Sequence, residues 1–136
     1  MSYGVSAALQ AAVFGALSAD TVLDGLVAGA VFDAEPSGVL PASYVSLGAE
    51  RVRDRSDATG AGALHEFDVS VVTEGDGFFA AKQIAAAVSD ALVDAELALS
   101  RGRLVSLQFY KGKAAKVESG RIRRIDLIFR ARVQDG

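Results

Sequence analysis

The most constraining feature is a strict alternation near the end of the chain. Ile125, Leu127, Phe129, Ala131 and Val133 alternate with Arg124, Asp126, Arg130 and Arg132. A period of two puts the apolar set on one face and the charged set on the other, so Arg121–Val133 reads as a strand with one buried face. The pattern recurs at His65-Glu66-Phe67-Asp68-Val69-Ser70-Val71. It recurs more weakly in Tyr44–Arg53, where Val45, Leu47 and Ala49 share a face, and in Arg103–Tyr110, where Val105, Leu107 and Phe109 do. Four half-apolar strands need a cover for their inner face.

Two helical patterns supply it. Val5, Ala8, Leu9, Ala12, Val13, Ala16 and Leu17 recur at helical spacing, with Ser2 as a candidate N-cap. Ile84, Val88, Ala91, Leu92, Ala95 and Leu99 do the same. Asp76 is the candidate cap there, Phe78 and Phe79 stand at the start, and the end is expected at residues 94–99. Asp20 and Asp24 could open a short helical turn that closes near Gly25 or Gly29, and Val31–Phe32 could form a short strand. Residues 33–43 hold both prolines, 54–63 are Gly-rich, and the basic stretch 111–120 ends in Ser119-Gly120; all three read as connections. The expectation is an α+β fold: a mostly antiparallel four- to five-stranded sheet with two helices packed on one face, in one domain over residues 1–136.

Composition narrows the chemistry. The chain has no cysteine, hence no disulfide framework, zinc knuckle or thiol nucleophile, and its one histidine, His65, argues against His-based metal sites. The N-terminal stretch Tyr3–Leu17 is too short and too interrupted to span a membrane, and no Lys or Arg precedes it. An intracellular protein is expected.

Charge is unevenly distributed. Residues 1–100 carry four basic and fourteen acidic groups, a net of −10; residues 101–136 carry ten basic and three acidic, a net of +7. Such asymmetry suits either a nucleic-acid surface or a basic edge that meets an acidic patch on a neighbouring copy. No aromatic-studded basic helix or nucleic-acid motif accompanies it, which favours the second.

No catalytic set emerges. On one strand His65 faces away from Asp68 and Ser70, so a Ser–His–Asp triad fails on geometry. Gly60-Ala61-Gly62 and Gly75-Asp76-Gly77 lack the Lys-Ser/Thr ending of a phosphate loop. Glu66 and Asp68 share a strand face but have no third ligand for a cation. Arg51, Arg53 and Arg55 could dock a carboxylate or phosphate, or protect an edge strand by charge. Enzyme activity, a metal and a cofactor are all expected to be absent.

Several short motifs, in order, resemble the tail terminator (tail completion) proteins of long-tailed phages, in the version found in gene transfer agents. They are Pro41-Ala42-Ser43-Tyr44-Val45-Ser46-Leu47-Gly48, the polar Gly-rich loop after it, and the His-led strand His65–Val71. The Ala/Ile/Val helix Ala80–Leu92, Leu104-Val105-Ser106-Leu107 and the Arg-rich strand Arg123–Arg132 follow. The chain departs from the family's look at Val71-Val72-Thr73, where an aromatic is common. The resemblance implies a structural role without an active site. Copies would form a homo-hexameric ring at the head-proximal end of the tail of a phage-like particle, assembled in the bacterial cytoplasm. The partners implied are the major tail tube protein and a head-side stopper or adaptor, with double-stranded DNA passing through the bore without sequence-specific binding. The neighbouring role, a head-side stopper or adaptor ring at the same junction, is the alternative.

For partner contact the expected residues are Arg51, Arg53, Arg55 and Asp57 at the first Gly-rich connection, with Lys111, Lys113 and Lys116 in the basic one. Arg124, Arg130 and Arg132 on the last strand complete the set, with Arg130 and Arg132 as the electrostatic contact between copies. A globule of this mass should expose roughly 6,700 Å², and ring contacts of about 800 Å² each would cover nearly half of it.

Overall fold

The computed structural model describes residues 3–56, 60–75 and 77–135. The expected helices and strands form, and a third helix joins them. In α1 (Ser6–Ala19) Leu9, Val13 and Leu17 recur at i+4 and are buried, with Val5 just before the helix. Val5 occupies the cap position without a side-chain cap; Ser2 and Asp76, the caps expected from sequence, lie outside the described residues. Asp20 ends α1 in an extended conformation and starts α2 (Thr21–Val27), its Oδ2 accepting the Leu23 N–H at 2.9 Å. The anticipated helical turn is thus a helix, bent 73° from α1. It stops where Ala28 and Gly29 both take positive φ, 52° and 79°. No single helix among the described residues is long and apolar enough to cross a membrane.

Five strands follow: β1 (Val31–Phe32), β2 (Ser43–Asp54), β3 (Gly62–Glu74), β4 (Arg103–Val117) and β5 (Ile122–Gln134), with α3 (Phe79–Leu92) between β3 and β4. Their order in the sheet is β1-β2-β3-β5-β4. Only the short β1–β2 pair is parallel; the other pairs are antiparallel. The helices cover one face. There His65, Phe67, Val69 and Val71 of β3 and Ile125, Leu127, Phe129, Ala131 and Val133 of β5 are buried, as the alternation requires. Phe129 is fully enclosed, stacked on Phe67 (ring centroids 5.8 Å apart) and edge-on to Phe109 (6.0 Å). Burying such a ring contributes about 1.5–3 kcal/mol.

Three expectations need correction. First, the basic stretch from Lys111 is no loop: β4 runs to Val117 and pairs with Ile122–Ile128, leaving only residues 118–121 as the turn. Glu118, Ser119 and Gly120 all take positive φ there, which closes a tight hairpin. Second, α3 ends at Leu92, so Ala95 and Leu99 are not helical. Val93 turns extended, Asp94 takes φ 59°, and the Asp94 N–H donates to the Leu107 carbonyl of β4. Third, β-bulges break two alternations. One between Leu47 and Glu50 leaves Ala49 exposed and brings Glu50 inward; two in β4, at Leu104/Ser106 and Phe109/Lys111, leave Val105 exposed.

Candidate functional site: the charged face of the sheet

The face away from the helices carries the other half of each alternation. Strand register aligns its side chains in rows. Arg51, Glu66, Arg130 and Gln108 share one row; Ser46, Ser70, Asp126 and Lys113 share another. Within the first row, Glu66 accepts from Arg130 Nε at 2.8 Å and lies 3.4 Å from Arg51 Nε, while Arg51 Nη2 reaches Asp68 at 2.8 Å. The Arg130 hydrogen bond holds the Glu66 carboxylate below its usual range, against partial burial; that of Asp68 raises the Arg51 guanidinium. Arg130 also stacks on the bulged Tyr110, 3.5 Å from its ring centroid. Beyond them Arg53, Leu64 and Arg132 complete the adjoining row, and Arg51, Arg53, Leu64, Glu66 and Arg130 surround a shallow depression of ≈ 260 Å³.

The second row holds a smaller network. Ser70 Oγ donates to Asp126 at 2.6 Å, and Arg124 donates to both Asp126 (3.0 Å) and Ser70 (3.0 Å). Glu35, from the segment after β1, approaches Arg124 at 3.9 Å and accepts from the Tyr44 hydroxyl at 2.9 Å. Burial first, then that carboxylate, push the Tyr44 hydroxyl up to about 12.

The fold therefore gathers Arg51, Arg53, Lys111, Lys113, Arg124, Arg130 and Arg132 on one face. Lys116 pairs with Arg123 and belongs to the opposite face, Arg55 lies past the end of β2, and Asp57 is outside the described residues. Arg130 is held by Glu66 and Tyr110 within its own copy. His65 lies on the helix side against Glu50, while Asp68 and Ser70 face the other way, towards Arg51 and Asp126. Among the described residues no three His, Asp or Glu side chains converge as a metal-ligand set.

Sequence reasoning missed the group around Glu50. Its carboxylate accepts from Tyr3 Oη (2.5 Å), Ser6 Oγ (2.7 Å) and His65 Nδ1 (2.9 Å). Burial pushes Glu50 up, but these three hydrogen bonds outweigh it and hold the carboxylate below 4.5. The available signal was a break in β2's alternation, whose apolar positions switch from odd (Val45, Leu47, Ala49) to even (Val52).

The helices cover one face of the sheet and leave a ladder of ion pairs on the other. The family model of tail completion protein gp17 matches residues 11–134, and the chain belongs to that family. A chain in the solved virion of a native gene transfer agent particle is similar to it over the whole fold. The TM-score is 0.91 at 61% identity, covering 98% of this chain and 99% of that one. No curated protein matches.

Proposed function

We propose that the chain acts as one domain in a hexameric ring that ends the tail tube of a gene transfer agent-like particle and joins it to the head. The observation that carries this reading is membership of the tail completion family together with 61% identity to a chain of a gene transfer agent virion. The partners are further copies of itself, the tail tube protein on one side and a head-side stopper or adaptor on the other. Double-stranded DNA passes through the bore without sequence-specific contacts. The role is structural, with no reaction at its centre.

The charged face and the turn at residues 118–121 contact the layers above and below. The accessible surface, 7393 Å², exceeds the roughly 6,700 Å² usual for a monomer of this mass. The β4–β5 hairpin contributes to the excess, with Lys111–Ala114 exposed. Surface of that kind suits a subunit that is covered on assembly.

The test is electron microscopy of particles made without this gene. Overlong tubes, or finished tails unattached to DNA-filled heads, establish the terminator role. Normal tails beside leaking, tailless heads would move the protein to the head-side stopper layer. Entirely normal particles would overturn the reading.

A further inference from the structure

The sheet has two open edges of opposite character. At one edge lies β1, only two residues long; residues 20–40 on either side of it supply Asp20, Asp24, Asp33 and Glu35 and no Lys or Arg. At the other lies β4, fifteen residues long, with Arg103, Lys111, Lys113 and Lys116 and no Asp or Glu. Asp94 and Glu96 border β4 only near Leu104–Leu107, so its basic character concentrates from Lys111 onward. A long free edge that also exposes Val105, Phe109 and Tyr110 (43–46% each) invites association. Edge against like edge would oppose four cations with four, which disfavours a two-fold pair and leaves an acidic flank as the partner.

Register supplies the geometry. Phe32, Ser46, Ser70, Asp126 and Lys113 form one row across all five strands. Lys113 and Phe32 therefore stand at the same level on opposite edges, and exposed Asp33 follows Phe32 directly. A sideways step from copy to copy brings the two edges together with little offset along the strands, as a head-to-tail contact requires if it is to close. Beside Asp33, the α1 residues Ala7, Gln10, Ala11 and Phe14 line a shallow, mainly apolar depression of ≈ 340 Å³.

We infer that the β4 edge of one copy docks on the β1–α1 flank of the next. Lys111 and Lys113 face Asp33, and Phe109, which packs against Phe129 on the helix side, enters the depression on α1. This deepens the ring reading above and rests on it.

The chain lacks cysteine, so a disulfide can report the contact. In purified particles carrying the double variant Asp33→Cys/Lys113→Cys, a mild oxidant should give a ladder of linked copies on a non-reducing gel, collapsing to monomer on reduction. Particles that contain the variant in wild-type amount yet give only monomer after oxidation would overturn the inference. A second pair of variants guards against a folding defect. Lys111→Glu/Lys113→Glu, checked for a native circular dichroism spectrum, should cut incorporation into particles by at least about tenfold, and adding Asp33→Lys should recover most of it. Wild-type incorporation of Lys111→Glu/Lys113→Glu would overturn the contact. Copy number per wild-type particle separates the two levels: several copies keep the ring even if these edges are not its interface, whereas a single copy overturns both.

Discussion

His65 Nδ1 lies 2.9 Å from Glu50 Oε2, and no part of the His65 side chain reaches solvent. A carboxylate only accepts, so Nδ1 carries the proton in this hydrogen bond. The same carboxylate takes the Tyr3 and Ser6 hydroxyls, which fastens the start of α1 to β2 and β3. Glu50→Gln keeps the shape but removes the charge and one acceptor, and should destabilise the fold by about 1–3 kcal/mol in urea unfolding. Because the folded Glu50 titrates below its unfolded value of 4.5, its contribution is full above that pH and is lost as pH falls through the depressed folded value. The wild type should therefore lose stability towards acid more steeply than Glu50→Gln. Parallel acid limbs would sink this assignment.

Tyr44 gives an alkaline signature. It should ionise late, near 12, in an ultraviolet titration of the folded protein. Its folded value is raised above 10, so the stability it contributes is intact at neutral pH and declines only as pH rises beyond 10. Glu35→Gln should bring this late step earlier. If the step does not move, the Glu35 contact is not its cause.

The outer-face ion pairs should matter little for folding. Arg130 and Arg51 are 36% and 47% exposed, and pairs in that setting contribute about 0–1 kcal/mol each. Arg130→Ala should therefore shift unfolding by less than Glu50→Gln does, with any further loss coming from its packing on Tyr110. A larger loss would make this ladder a stabilising device.

Gly102 is the glycine least open to change. Its φ is +72°, and a Cβ there would meet the Gln134 carbonyl oxygen at 2.6 Å and Val5 Cγ2 at 2.8 Å. Gly102→Ala should cost about 2 kcal/mol or more in equilibrium unfolding, from backbone strain together with the clash. Gly15→Ala, on α1 with nothing within 4 Å, should be neutral or stabilising. Equal effects from the two would contradict this packing at the start of β4.

The strands with the cleanest alternation, around His65–Val71 and Ile125–Val133, were legible because burial on one face writes itself at period two. The parts that were not legible have physical causes. The bulge before Glu50 shifts the alternation by one residue, so a buried acid looked like a surface one. The stretch from Lys111 read as a loop because its side chains are charged or small. It is a strand because Ile122–Ile128 returns alongside it, a pairing that composition does not announce. The charged face itself could be read as a set of outward residues, but not which of them neutralise one another. Arg130 looked available from sequence, and only the register placed it against Glu66.

The most direct measurement is an electron cryomicroscopy reconstruction of the head–tail junction in intact particles. A closed ring of this chain should lie between the last ring of the tail tube and the head-side connector, with DNA or an open bore on its axis. Density for the chain elsewhere along the tail, or a junction built without it, would contradict the proposed role.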